Sequence, residues 1–510
     1  MTIVDSSNTH LVDGCEFLHD ALCVSTLIAY RGRYNENIRL AEHHGDINVD
    51  ALKSAAAQSP ERCDTDTKSL SKLAEGGFNR VLQITMLDDT QVLARLPYPS
   101  TEPKQLAVAS EVATLALLRA HGLPVPRVYA YSTDAKNPVG SEYIIMEKLP
   151  GRPLGDRWFD LSDRERLKVL LQIVQLEAKL HAIELPASGS IYYYASDLPS
   201  DGTTHCHPRL GFSFCIGPHA ALKWWTAERA SLRIDRGPCE DPIDALRNPV
   251  LKELAWLRAY SRPRFPFECA YRESMEYRLS EPSEHIASLE SYLEIAPDLL
   301  PSNEMLRSVL RHPDLQPNNI FVSDDLDIVG LIDWQHASVL SLFLAAGIPK
   351  FFQNYDDPES LDFRPPPGPD FTDMMDEEEE KADALHDFSA SPYPLLLLGL
   401  HAMNLTSAPW TRLRTCLRAA FSAMRASHGR GINNIPLQAD LVLITKSWRE
   451  YSTGPCPISF STTKADSIMH LQSIQEEVDL QLNQIRNVIG IGVDGWTPPE
   501  EYEAACARAR

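Results

Sequence analysis

Arg311-His312-Pro313-Asp314-Leu315-Gln316-Pro317-Asn318-Asn319-Ile320-Phe321-Val322, followed by Val329-Gly330-Leu331-Ile332-Asp333-Trp334, is the stretch on which the reading of this chain turns. It holds, in order, a His-x-Asp, an Asn five residues after that Asp, and a second Asp closing a short apolar run. Pro313 and Pro317 deny Asp314 and Asn319 a regular helix, so both fall on a tight loop. Ile320-Phe321-Val322 reads as a short strand, Ser323-Asp324-Asp325 as a turn, and Ile328 to Ile332 as the returning strand. Such a hairpin brings Asp333 back beside Asn319. An amide oxygen and a carboxylate then face one cleft, as a hard cation needs when waters and phosphates complete its shell. Asp314 stands apart, placed to accept a hydrogen bond from a substrate hydroxyl. Phosphoryl transfer from ATP requires such a set. His312 is expected to brace the loop backbone. The plainer alternative is a polar hairpin with incidental acids, and the upstream sequence weighs against it.

Leu70 to Glu75 reads as a strand. It enters Gly76-Gly77-Phe78-Asn79-Arg80 and leaves as a second apolar alternation, Val81 to Met86. Two adjacent glycines let backbone N–H groups approach phosphate oxygens closely, although hairpin turns use the same pair. After Asp88-Asp89, Gln91 to Leu96 is a third strand, with Arg95 where a phosphate-contacting cation belongs. Sixteen residues on, Glu111 lies in a helical stretch, Leu106 to Ala120, stopped by His121-Gly122. Leu115 and Leu118 share its face, so the carboxyl points inward and wants a cation. Arg95 is the expected partner; the alternative leaves both as solvated surface charges.

Five segments carry a resemblance: Lys72 through Arg80, Ala94-Arg95-Leu96-Pro97-Tyr98-Pro99, Gly122-Leu123-Pro124-Val125-Pro126, Arg311 through Asn319, and Ile332-Asp333-Trp334-Gln335-His336. Together they resemble the aminoglycoside phosphotransferase and choline kinase superfamily, the small-molecule branch of the protein-kinase-like fold. The closer likeness is to fungal phosphotransferase-enzyme-family proteins, including the altered-inheritance-of-mitochondria group. It runs from about Tyr30 to Trp448. The resemblance implies an α+β, two-lobed protein-kinase-like fold with an antiparallel-sheet N-lobe and a mainly helical C-lobe. It implies ATP and Mg2+ as cofactors and a small-molecule hydroxyl as acceptor. Asp314 would be the catalytic base, in a catalytic loop that also holds His312. Asn319 and Asp333 would bind Mg2+. Gly76, Gly77 and Asn79 would cover the phosphates, and Arg95 would contact them, braced by Glu111. The backbone near Glu147 and Leu149 would meet the adenine edge, with Met146 at the back of that pocket.

Two departures stand out. Arg95 replaces the usual Lys, and the two are not equivalent. Ser338 to Phe343 lacks the acid that many superfamily members carry about ten positions after the Asp-Trp pair. Arg95 favours one competing reading, a nucleotide-binding scaffold that no longer catalyses. A Ser/Thr protein kinase is the other, and no Asp-Phe-Gly followed by Ala-Pro-Glu supports it.

The 510 residues suffice for sizeable cores, and a 44% hydrophobic content is ordinary for globular protein. A net charge of −22 argues against nucleic acid or an anionic membrane as main partner. Asp373, Asp376 and Glu377 to Glu380 concentrate part of the excess, beside the Pro-rich Arg364 to Pro369. The expected organisation is a helical N-terminal extension over 1–65, with Val49 to Ala57 a helix, and an N-lobe over 66–150. A helical C-lobe with catalytic loop and insertions covers 151–448, and a C-terminal helical extension 449–510. Within these, Leu161 to Ile183 reads as a helix capped by Ser162, and Pro186 to Pro218 as a loop. Ala465 to Val488 reads as an amphipathic helix directing Ile468, Leu471, Ile474, Val478, Leu482 and Ile485 to the C-lobe. Trp224-Trp225 and Tyr192 to Tyr194 are expected to serve packing, rather than form a box for quaternary ammonium.

Ten cysteines without a Cys-x-x-Cys point to free thiols in a reducing compartment. His205-Cys206-His207 with Cys215 matches no usual zinc spacing. No apolar run reaches membrane-spanning length. Asp5, Asp13, Glu16 and Asp20 make a poor mitochondrial presequence. A cytoplasmic protein is expected, mitochondria being the alternative the resemblance carries. Nothing in the sequence fixes an oligomeric state.

Overall fold

The computed structural model describes residues 45–57, 67–193, 207–210, 213–266, 269–274, 277–301, 303–345, 347–352, 434–491 and 502–509. After helix α1 (Val49–Ala57) come five strands: β1 (Thr67–Glu75), β2 (Asn79–Met86), β3 (Gln91–Pro97), β4 (Val128–Ser132) and β5 (Tyr143–Glu147). They form one antiparallel sheet in the order β1-β2-β3-β5-β4. Alternation along the strands gives the sheet two apolar faces. Leu82, Ile84, Met86, Ala94 and Ile145 pack on Leu52 and Ala56 of α1. Ile144 and Met146 point the other way, onto Val108 and Val112 of helix α2 (Leu106–Ala120). That helix ends where Gly122 takes φ +73°, a conformation open to glycine.

The chain then passes through β6 (Arg152–Pro153) into a mainly helical lobe. Helix α3 (Asp163–His181) begins at Ser162, whose backbone N–H and hydroxyl meet Glu165 Oε2 in a capping box. Next come β7 (Ser190–Tyr193), β8 (His207–Leu210) and β9 (Phe214–Gly217), then α4 (Pro242–Tyr260), α5 (Cys269–Ser274) and α6 (Pro282–Ile295). Strands β10 (Ser308–Arg311), β11 (Ile320–Val322), β12 (Ile328–Leu331) and β13 (Ser338–Ser341) follow, with α7 (Leu342–Ala345), α8 (Ile435–Lys446), α9 (Thr462–Ile489) and α10 (Tyr502–Arg508). One core joins α3 to the β11–β12 hairpin through Val169, Leu170, Ile173, Ile320 and Leu331. A second joins α4, α6 and α8 through Leu254, Leu289, Tyr292 and Leu441. The result is an antiparallel N-terminal sheet followed by a mostly helical lobe.

Three expectations need correction. Residues 186–218 are not simply a loop: β7, β9 and β8 form a three-stranded antiparallel sheet packed on α2. Its Gly and Pro content obscures strands whose Ile191, Tyr192, Cys215 and Ile216 are buried. Cys215 is disulfide-bonded rather than free, whereas Cys239, Cys456 and Cys506 are free. In α9 the expected stripe is buried at Ile468 and Val478 and half-buried at Leu471, Ile474 and Leu482, but Ile485 stands exposed. The acidic cluster, the Pro-rich run, residues 1–44, Tyr194 and His205-Cys206 lie outside the described residues. No described helix is long and apolar enough to cross a membrane.

Candidate active site

The β11–β12 hairpin sets the geometry. Ile320 pairs with Leu331 and Phe321 with Gly330. Ile332 N donates to Asn319 O at 3.0 Å, which brings Asp333 back beside Asn319. Leu331 N donates to Pro124 O at 2.7 Å, so the Gly122 to Pro126 segment docks the N-lobe on this hairpin. At the other end, Arg311 forks onto Glu177 of α3, Nε to Oε1 at 2.7 Å and Nη2 to Oε2 at 3.1 Å. This bidentate pair fixes the start of the His312 to Asn319 loop.

Within the loop, a turn of 3-10 helix spans Pro317–Asn319. Asn319 Nδ2 donates to Asp314 O at 2.8 Å and to Asp314 Oδ2 at 3.3 Å. With its nitrogen so engaged, Asn319 keeps its amide oxygen as a ligand atom. Asp314 is exposed, and Gln316 Nε2 donates to its Oδ2 at 2.6 Å. His312 Nε2 donates to Ile332 O at 2.8 Å, and Nδ1 accepts from Asp314 N at 3.1 Å. Both ring nitrogens thus serve the backbone, and burial lowers the imidazole pKa, keeping the ring neutral. His312 lies edge-on to the fully buried Trp334, 4.5 Å between centroids.

Asp333 has φ +66°, a left-handed conformation that Asp adopts more readily than most side chains. Its side chain remains 34% exposed and reaches the cleft, where Arg95 Nη2 donates to Oδ1 at 2.8 Å. Arg95 is 7% exposed, and its Nη1 donates to Glu111. Burial lowers the guanidinium pKa, but Glu111 and Asp333 outweigh it and the net shift is upward. Burial in turn pushes the Glu111 carboxyl up to about 7 against the pull of Arg95, and the Asp333 charge adds to the push.

The turn between β1 and β2 overlies this centre. Gly76 N donates to Asn79 O at 2.9 Å. A Cβ at Gly77 would meet nothing within 4 Å, one at Gly76 only Asn79 O at 3.9 Å, and neither residue has positive φ. The fold itself does not demand glycine at either position. Asn79 Nδ2 donates to Gln335, as does Arg95 Nη2. Turned over, the Asn79 amide accepts instead from Arg95 Nη2 at 2.8 Å and Nε at 3.2 Å; either way it joins the Arg95–Gln335 pair. Phe78 meets His336 edge-on, 5.6 Å between centroids, and His336 Nδ1 donates to Ala220 O at 2.8 Å.

At the hinge, Met146 belongs to the core beneath α2. Glu147 is held by Arg127, whose N donates to its Oε2 at 3.0 Å and whose O accepts from its N at 2.8 Å. Leu149 packs on Gly330, where a Cβ would lie 2.3 Å from Leu149 Cδ1. Gln335 is the site residue that sequence reasoning gave no role. The available signal was Arg95: a guanidinium in place of an ammonium needs more acceptors. Among the described residues the aromatic side chains carry no open box, because Lys252 lies 5.2 Å over Trp224, Arg236 4.0 Å over Trp225, and Tyr192 OH donates to Pro218 O.

The profile of the phosphotransferase enzyme family matches residues 69–340. A subtelomeric hrmA-associated cluster protein of Aspergillus fumigatus is 31% identical over 474 residues, covering 86% of this chain and 90% of the relative. Altered inheritance of mitochondria protein 9, mitochondrial, of Kluyveromyces lactis is 26% identical over 331 residues, 58% of this chain and 51% of its own length. Among solved structures, a macrolide 2′-phosphotransferase from Brachybacterium faecium aligns at TM-score 0.31 and 19% identity, over 75% of this chain and 99% of its own. An ADP-bound aminoglycoside phosphotransferase aligns at TM-score 0.33 and 12% identity, over 74% and 99%.

Proposed function

The chain belongs to the phosphotransferase enzyme family, and from that membership we propose that it moves the γ-phosphoryl group of Mg-ATP to a hydroxyl of a small molecule. The observation that carries this reading is the gathering of Asp314, Asn319 and Asp333 on one hairpin, below an Arg95–Glu111 pair and an open double glycine. Asp314, exposed and oriented by Gln316 and Asn319, accepts the proton of the attacking hydroxyl. The new oxygen–phosphorus bond forms as the bond to the departing nucleoside diphosphate breaks. Arg95 holds phosphate oxygens, and Glu111 keeps its guanidinium aimed at them. The backbone N–H of Gly77 closes over the phosphates, while the Gly76 N–H holds the turn through Asn79 O. Met146 backs the adenine site, and the chain at Glu147 and Leu149 borders its edge.

The donor set fits magnesium. One carboxylate and one amide oxygen suit a cation that keeps waters and phosphate oxygens as its other ligands. Among the described residues, no group of three or more His, Cys, Asp or Glu could hold a metal by itself. Asn319 and Asp333 would hold the ion, which neutralises phosphate charge when bound. His312 supports the loop and touches no reacting atom.

The test is a screen of cell metabolites with the protein and Mg-ATP, with Asp314→Ala as control. A phosphorylated small molecule formed only by the unaltered protein supports the proposal; label entering polypeptides instead would assign a protein kinase. The Arg95–Asp333 ion pair favours a second reading, a scaffold that binds nucleotide without turnover. Stabilisation by Mg-ATP without product would select it. For compartment we keep the cytoplasmic reading. The mitochondrial relative supports the other, and fractionation of the tagged protein separates them.

A further inference from the structure

A lysine at position 95 would bring one charged nitrogen to the cleft; arginine brings a planar fork of five N–H donors. Nη1 gives one of its two hydrogens to Glu111. Nη2 has two hydrogens, and with Asn79 Nδ2 turned to Gln335 two acceptors meet it: Asp333 Oδ1 at 2.8 Å and the side-chain oxygen of Gln335. Gln335 also joins Asn79 in the turn between β1 and β2. Its own backbone is pinned on both sides. Trp334 is fully buried, and His336 is tied to Ala220 O and set edge-on against Phe78.

We propose that Gln335 is a positioning residue that divides Arg95 Nη2 between itself and Asp333, leaving the Asp333 carboxylate available to a divalent cation while joining the glycine turn to the catalytic hairpin. The inference rests on the phosphotransferase reading and deepens it. Without the Gln335 carboxamide, Nη2 loses the neutral acceptor that shares it with the Asp333 carboxylate, and Asp333 is the one charged acceptor left to it. The ion pair tightens in a buried setting where water screens it poorly. A cation must then displace the guanidinium to reach the carboxylate.

The measurement is thermal stabilisation of the full chain by a non-hydrolysable ATP analogue, titrated with Mg2+. Gln335→Ala should raise the Mg2+ concentration at half-maximal stabilisation roughly tenfold, the scale of one redirected charge-assisted hydrogen bond. Gln335→Glu should lower it, because a second carboxylate draws Nη2 away from Asp333; this variant carries the test if the alanine variant does not fold. In an Arg95→Lys background, Gln335→Ala should move the midpoint by less than about twofold, since an ammonium on a flexible stem turns its three N–H donors to whichever acceptors remain. A midpoint unchanged by Gln335→Ala, or the same shift in both backgrounds, overturns the inference. If the unaltered protein gains no stability from the Mg2+–analogue pair, the phosphotransferase reading fails first and this one with it.

Discussion

Glu111 decides how the site responds to pH. Its carboxyl, raised by burial to about 7 from the ordinary 4.5, is favoured protonated in the folded protein. Its contribution to stability is therefore largest below about pH 4.5 and declines as pH rises toward 7. Function runs the opposite way, because only the ionised carboxylate holds Arg95. Mg-nucleotide affinity should fall as pH drops through about 7, and Glu111→Gln should abolish that acid limb. Calorimetric titration at a series of pH values checks both. On the proposed reading Asp314 serves a different step. Asp314→Ala should cut turnover by about 10²–10⁴-fold. Its nucleotide affinity should stay within about twofold, because the lost carboxyl orients the acceptor and not the phosphates.

At the scale of elements, glycine has two meanings in this fold. Gly151, between β5 and β6, has φ +84°, and a Cβ there would lie 2.3 Å from Val322 O of the β11–β12 hairpin. Gly151→Ala should destabilise the protein by about 1–3 kcal/mol, read from urea denaturation. At Gly77 the space is open and φ is not positive, so Gly77→Ala should leave the denaturation midpoint unchanged and weaken nucleotide binding. A loss of stability at Gly77 would return that glycine to a role in the hairpin turn. The same comparison separates what shapes the β11–β12 hairpin from what leaves room for a ligand.

At the scale of the whole molecule, charges are also buried inside the helical lobe. Arg229 donates to both oxygens of Glu253 at 3.1 and 2.8 Å, and Lys252 reaches Glu253 at 2.9 Å, all nearly excluded from water. Glu253→Ala would leave two cations in that interior and should cost about 3–5 kcal/mol, measured by chemical denaturation. Nothing at residue 253 or around it announced this network, since charges that meet by packing leave no periodic trace. The elements near the site were more legible. Helix α2, the cap at Ser162, strands β1 to β3 and the β11–β12 hairpin follow from periodicity, caps and turn residues that act over a few positions. The hairpin in turn settles that Asn319 and Asp333 lie together, and the order of the motifs settles the family. The β7–β9–β8 sheet was not legible, because its strands are short and set among Gly and Pro. Nor were the contacts of Arg95 with Asp333, 238 positions away, and of Asn79 with Gln335, 256 positions away. Local chemistry tells a segment what shape to take. Which acceptor meets a buried guanidinium is decided only when two lobes close on each other and exclude the water that would otherwise have served.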